Sequence, residues 1–146
     1  MDFGIHTNPT HRRQVYNYFK DKSWVTKKPC DIPLGEYQKS AHFNKIDKYY
    51  ENIYNHKYVI SPLGNGVDCG RVWQSIYLGA IPIVPRHINI NFYIDLPILI
   101  YDNLKDLTED FLEQRYDEIM KGTDVRKSTM TYWADRFEKE RVRYAF

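Results

Sequence analysis

The sequence predicts an α/β fold with a mostly parallel β-sheet flanked by helices. Short apolar segments alternate along the chain with longer segments whose apolar residues recur at helical spacing. The short segments are continuously apolar, as in KYVIS (57–61) and AIPIV (80–84), rather than apolar at every second position. Continuous apolarity is typical of strands that are covered on both faces, which is the usual arrangement of a parallel sheet.

Local signals place the ends of these elements. Asn8-Pro9 ends the first strand and starts a helix with proline in its first turn. Asp68 and Ser128 are candidate N-caps of the third and fifth helices, and Gly122 is the expected stop of the fourth. The predicted strands are residues 3–7, 23–26, 57–61, 80–84 and 98–101. The predicted helices are residues 10–21, 44–56, 69–78, 107–122 and 128–144.

Length and composition indicate one soluble globular domain that spans residues 1–146. Of these residues, 42% are hydrophobic and 27% are charged. No stretch approaches the roughly 20 apolar residues of a membrane span. The N-terminus has no secretory signal, so we expect a cytoplasmic protein.

The net charge of +2 disfavours nucleic acid as a partner, and RNA binding through tyrosines and basic clusters is the weaker alternative. The histidines and cysteines lack metal-ligand spacing, so we expect no metal.

The segment SPLGNGVDCGR (61–71) is the most informative part of the chain for function. It connects a strand to a helix, and ligands of open parallel sheets bind beyond the carboxyl ends of the strands. Gly64, Gly66 and Gly70 permit positive φ angles and let backbone N–H groups approach a ligand. The helix that follows adds unpaired N–H groups, so phosphate is the expected ligand. The spacing matches neither the P-loop nor the dinucleotide fingerprint, whose third glycine is replaced by Cys69.

A helical wheel of the segment after this turn separates an apolar side from a polar one. The side expected to face the sheet consists of Val72, Trp73, Ile76, Tyr77 and Ala80. The other side consists of Arg71, Gln74 and Ser75. Because helical side chains lean toward the N-terminus, Arg71 reaches back over the turn, with Gln74 one turn below it. This pair suits a diphosphate and a sugar or ribose hydroxyl. Asp68 is either a ligand contact or an N-cap. The alternative role of Arg71 is an ion pair with Asp68 or another surface acid.

The run S-P-x-G-x-G-x-D-x-x-R-x-W-x-x-x-x-L-G-x-I-P-I-V, from Ser61 to Val84, resembles the donor-binding half of exostosin-like glycosyltransferases. Residues 92–112 resemble the strand and helix that follow this motif in that family. The resemblance implies a single Rossmann-like domain, which is half of a GT-B fold. It also implies transfer of a sugar from a nucleotide-sugar donor to a hydroxyl of a glycan or protein acceptor, without a cofactor or bound metal.

The same resemblance implies roles for individual residues. The diphosphate would lie on Gly64, Asn65, Gly66, Asp68 and Arg71. Arg71 would neutralise charge on the leaving nucleotide. Gln74 stands where the family commonly has a glutamate that accepts hydrogen bonds from ribose or sugar hydroxyls. Thr7, Asn8 and Arg12 would face the same cleft, and a solvated helix face is the alternative for Arg12 and its neighbour Arg13.

The resemblance does not extend to the N-terminal Rossmann domain, which binds the acceptor in the complete enzymes. We therefore expect a donor-binding domain that works with a second Rossmann domain or as a homodimer, and we predict no catalytic residue. The alternative is a non-catalytic interaction or regulatory domain that retains the fold. On the last helix, Met130, Trp133, Ala134 and Phe137 share one side. They are expected either to cover the sheet of this domain or to contact such a partner.

Overall fold

Strands and helices alternate in the computed structural model, which describes Phe3 and residues 7–27, 42–66 and 68–143. The strands are β1 (Tyr58–Ile60), β2 (Ile81–Pro85) and β3 (Leu99–Tyr101). The α-helices are α1 (Pro9–Phe19), α2 (His42–Tyr54), α3 (Gly70–Tyr77), α4 (Glu109–Gly122) and α5 (Met130–Arg143). Short 3-10 helices cover Ile88–Tyr93, Leu104–Asp106 and Val125–Ser128. The predicted strand 3–7 lies outside the described residues except for Phe3 and Thr7.

The three strands form one parallel sheet in the order β1-β2-β3. Tyr58 lies opposite Ile81 in the first pair, and Ile83 lies opposite Leu99 in the second. Helix α3 makes the crossover between β1 and β2. This is the predicted α/β fold, with helices flanking a parallel sheet as in a single Rossmann-like domain. Because all three strands run the same way, their carboxyl ends share one edge, which we call the carboxyl edge.

Both faces of the sheet are buried, as the continuous apolarity of the strands predicts. In β2, Ile81 and Ile83 point to one face and Val84 points to the other. The first face is covered by α1 and α4 through Val15, Phe19, Leu112 and Ile119. The second face is covered by α3 and the chain after β2 through Val72, Ile76, Ile90 and Leu96. Full burial of each such side chain stabilises the fold by about 1.5–3 kcal/mol before entropy is counted.

The predictions for residues 23–26 and for Ser128 are wrong. Residues 23–26 form a turn rather than a strand, because the Val25 N–H donates to the Lys22 carbonyl and is used within the turn. Ser128 does not cap α5, since its hydroxyl donates to the Val125 carbonyl at 2.6 Å inside a 3-10 helix. The hydroxyl of Thr129 accepts from the Tyr132 N–H at 3.3 Å and supplies the cap instead.

Helix α5 does not cover the sheet, and none of its residues is buried. Met130 is 83% exposed, Phe137 69% and Trp133 38%, and Ala134 is exposed as well. The Trp133 indole N–H donates to the Lys127 carbonyl at 2.8 Å, so one end of the helix is fastened to the preceding 3-10 helix. Of the two expectations for this apolar face, coverage of the domain's own sheet is therefore wrong.

Candidate functional site at the carboxyl edge

The glycine turn, which we define as residues 61–66 and 68–70, lies at the carboxyl edge. The Ser61 N–H donates to the Ile83 carbonyl at 2.8 Å, so the chain leaves β1 while still bonded to β2. Ser61 and Pro62 are fully buried. Beyond them the Gly64 N–H donates to the Gly66 carbonyl at 3.1 Å, which folds the backbone tightly. The turn is thus held by the sheet at one end and continues into α3 at the other.

Gly64 is needed for a close approach rather than for its φ angle. A Cβ atom at this position would lie 3.3 Å from Arg12 Nη2 and 3.6 Å from Cys69 Cβ. A Cβ atom at Gly70 would meet nothing within 4 Å. The positive φ angles that these glycines permit are not used in the turn, since among the described glycines that conformation occurs at Gly79. The missing Cβ lets a guanidinium lie directly on the turn.

Arg12 is buried against the glycine turn and does not belong to a solvated helix face. It is 9% exposed, and its Nε donates to the Leu63 carbonyl at 2.8 Å. Arg13, the next residue of α1, is exposed. Burial of a guanidinium is costly unless it is hydrogen-bonded, and the Leu63 carbonyl supplies such a bond. Of the two roles that the sequence left open for Arg12, the solvated helix face is therefore wrong.

Asn8 directs α1 toward the turn. Its φ and ψ angles of 49° and 61° are left-handed, a conformation that asparagine tolerates better than most residues. Pro9 follows as the first helical residue, and the Arg12 N–H donates to the Asn8 carbonyl at 3.1 Å. Thr7 and Asn8 are both half-buried. Helix α1 thus starts directly after Asn8, and its first turn carries Arg12, which bonds to the glycine turn.

Arg71 and Arg12 both lie near the ring of Phe3. The Cζ atom of Arg71 is 5.8 Å from the centroid of that ring, and the Cζ atom of Arg12 is 6.0 Å from it. Each arginine comes from the first turn of its own helix, where the helix dipole is positive. Two guanidiniums, each from the first turn of a helix, therefore lie near one aromatic ring beside the glycine turn. This is the arrangement of charge that binds an anion such as a phosphate.

Gln74 connects α3 to α2. Its side-chain oxygen accepts a hydrogen bond from the Tyr49 hydroxyl at 2.8 Å. Gln74 is half-buried, one turn after Arg71, as the wheel predicts. Because the oxygen is engaged, the amide N–H groups are the part of Gln74 best suited to meet a ligand.

Asp68 fastens the turn rather than capping the helix. The N-cap of α3 is Cys69, so the expectation that Asp68 fills this position is wrong. The Asp68 carboxylate accepts from the Tyr93 hydroxyl at 3.0 Å, and Tyr93 packs edge-to-face on Trp73 with ring centroids 5.3 Å apart. Burial first, and then the bond and charge of Asp68, raise the pKa of Tyr93. One carboxylate oxygen of Asp68 is therefore engaged by the Tyr93 hydroxyl. Asn65 and Gly66 are exposed at the tip of the turn.

The two sides of α3 differ from the wheel at two residues. Ser75 is fully buried rather than polar and outward, because its hydroxyl donates to the Arg71 carbonyl at 2.7 Å and needs no water. Tyr77 is 63% exposed rather than facing the sheet, and its hydroxyl donates to the Ser128 carbonyl at 2.8 Å. Val72 and Ile76 are buried as predicted.

Two further pairs of side chains lie near this edge. The Nε2 atom of His11 is 3.4 Å from the Tyr101 hydroxyl at the end of β3. Burial and then the charge of Arg12 lower the pKa of His11, which favours the neutral imidazole. Beyond the ends of β2 and β3, the Arg86 guanidinium binds both carboxylate oxygens of Asp102. That bond, before any other factor, lowers the pKa of Asp102.

Sequence patterns did not identify Phe3, Tyr49 and Tyr93 as parts of the site. Each of them contacts a predicted site residue through packing between elements that are distant in the chain. Residue spacing within one element cannot predict contacts between elements that are distant in the chain. A lone aromatic residue is, moreover, most often a core residue. For these three residues the sequence offers no local signal.

No group of three or more histidine, cysteine, aspartate and glutamate side chains among the described residues could hold a metal ion. None of the helices within the described ranges has the length and apolarity needed to cross a membrane.

Comparison of the chain with known proteins does not assign it to a family. No protein-family model matches the chain, and no curated protein matches it either. The fold and the arrangement of side chains at the carboxyl edge are therefore the basis of the functional inference.

Proposed function

We propose that this chain is the nucleotide-sugar-binding domain of a glycosyltransferase that transfers a sugar to a hydroxyl acceptor. The observation that carries the proposal is the convergence of Arg12 and Arg71 on the glycine turn at the carboxyl edge. A nucleotide sugar carries a diphosphate, and paired guanidiniums beside open backbone match its charge and geometry.

The proposed chemistry follows from this charge. In the transfer, the bond between the anomeric carbon and a phosphate oxygen breaks, and the acceptor oxygen forms the new bond to the sugar. Negative charge develops on the leaving diphosphate, and preorganised cations stabilise it most strongly at that moment. Arg71 and Arg12 are the cations in this role. We assign no catalytic base within the chain, and a second Rossmann domain or a second copy would present the glycan or protein acceptor.

Calorimetric titration tests the proposal. UDP, GDP and their sugar conjugates are titrated into the wild-type chain and into Arg71→Ala and Arg12→Ala. The control is Arg13→Ala, which removes an exposed arginine adjacent to Arg12 on the same helix. We expect binding of at least one nucleotide, a loss of affinity of about ten-fold or more in the first two variants, since hydrogen bonds to charged groups contribute about 1.5–3 kcal/mol, and no change in the control.

Absence of binding at millimolar concentration would refute the donor site. So would an affinity that Arg71→Ala leaves unchanged.

The second candidate is a non-catalytic interaction or regulatory domain, and the exposed apolar face of α5 favours it. Met130, Trp133 and Phe137 lie on that face, and exposed apolar patches mark interaction surfaces in folded proteins. Incubation with a radiolabelled nucleotide sugar separates the two candidates. Slow hydrolysis of the donor to free sugar and nucleotide supports the transferase, whereas a chain that neither binds nor hydrolyses any nucleotide sugar supports the second candidate.

A further inference from the structure

Phe3 joins the protein core to the two arginines of the glycine turn. Its side chain is 2% exposed and belongs to the apolar cluster on the α1 and α4 face of the sheet. The guanidiniums of Arg12 and Arg71 both lie about 6 Å from its ring centroid. One side chain thus contacts the core and two cations from two different helices.

We infer that Phe3 is a positioning residue that holds Arg12 and Arg71 together as one clamp for the donor diphosphate, an inference that rests on the proposed function. Two like charges that lie near one side chain repel each other. An aromatic ring offsets part of this repulsion, because the negative face of the ring attracts cations. A buried ring cannot move with the arginines, so it also defines where they lie.

The advantage for binding is preorganisation. Arginine side chains have large rotamer entropy, and a ligand that must order both of them loses affinity. With Phe3 in place, part of this ordering is completed during folding, before the ligand arrives. Leucine has a similar apolar character but no aromatic face, so Phe3→Leu removes the ring while retaining an apolar side chain in the core.

The matched control is Phe19→Leu. Phe19 is also 2% exposed and lies in the same apolar cluster, but its ring packs on Tyr18 and Trp24 rather than on the arginines of the turn. Both leucine variants create a similar defect in the core, and only one removes the ring from the arginines. Phe3→Met serves as a second variant if Phe3→Leu does not fold.

Two measurements are made on the full chain. The first is the NMR spectrum of the arginine Nε–Hε groups without ligand, in which the ring of Phe3 shifts the resonances of nearby guanidiniums. The second is the affinity for UDP and GDP by calorimetry. We expect Phe3→Leu to move the resonances of both Arg12 and Arg71 and to weaken nucleotide binding by about ten-fold. Phe19→Leu should leave the resonances in place and change the affinity by less than about two-fold.

Each other outcome is decisive. Equal loss of affinity in the two leucine variants, or unmoved arginine resonances in Phe3→Leu, would overturn the role of Phe3 while nucleotide binding by the wild-type chain still supported the proposed function. Moved resonances together with no nucleotide binding by the wild-type chain would support the packing of the arginines on the ring and overturn the proposed function.

Discussion

Substitution of Gly64 by alanine tests whether the glycine turn is built around Arg12. The added Cβ would lie 3.3 Å from Arg12 Nη2, and ordinary contacts begin near 3.4 Å. One of the two groups must therefore move by a few tenths of an ångström. Arg12 cannot move freely, because it is buried and its Nε is bonded to the Leu63 carbonyl at 2.8 Å.

The expected magnitude combines two opposing effects. Hydrogen bonds to charged groups contribute about 1.5–3 kcal/mol, and partial displacement of Arg12 loses a fraction of this. Alanine also restricts the unfolded chain relative to glycine, which stabilises the fold by about 0.4–1 kcal/mol when the native backbone suits alanine. If about half of the bond energy is lost, the net result for Gly64→Ala is a decrease of up to about 1 kcal/mol in the free energy of unfolding.

The assay is urea unfolding of the wild-type chain, Gly64→Ala and the control Gly70→Ala. A Cβ at Gly70 meets nothing within 4 Å, and Gly70 is the first residue of α3. Alanine is the better helix former, so the control should be stabilised by up to about 1 kcal/mol. Equal stabilisation of both variants would show that Arg12 does not press on the turn, and the proposed geometry of the clamp would be wrong.

Two further predictions concern the neighbours of the clamp. Tyr49→Phe removes the donor to Gln74, which should lower the free energy of unfolding by about 0.5–1.5 kcal/mol, and unchanged urea unfolding would contradict this bond. Burial and then the charge of Arg12 hold the pKa of His11 below its ordinary value of 6.5. The unfolded chain then binds a proton at this residue more readily than the folded chain, so the free energy of unfolding should fall as the pH is lowered through about 6.5. His11→Gln should remove that part of the pH dependence, and an unchanged pH profile in the variant would contradict it.

The fold was largely predictable because its signals are local. Continuous apolar strands, helical spacing of apolar residues and turn residues act within windows of a few positions. These signals located β1, β2 and β3 and the five helices to within a few residues. The segment 23–26 was mispredicted because its residues favour a strand, whereas the hydrogen bond from Val25 to Lys22 closes a turn there.

The candidate site was predictable only in part. The glycine turn and Arg71 were placed from motif and periodicity, since a parallel sheet puts the ends of its strands at one edge. The caps at Asp68 and Ser128 failed because their side chains find other hydrogen-bond partners in the folded chain. The residue type gives only a preference for capping. Other hydrogen-bond partners of the same side chain compete with the helix N-terminus and decide whether the cap forms.

Local patterns in the chain therefore settle that this is an α/β domain with a glycine turn beyond its first described strand. They do not settle what surrounds the turn. The bond from Arg12 to Leu63 joins residues 51 positions apart, and the one from Tyr49 to Gln74 joins residues 25 apart. The exposure of the apolar face of α5 is likewise a property of the assembled domain. Periodicity determines which way a side chain points along its own element, whereas the packing of elements against each other determines what it meets there.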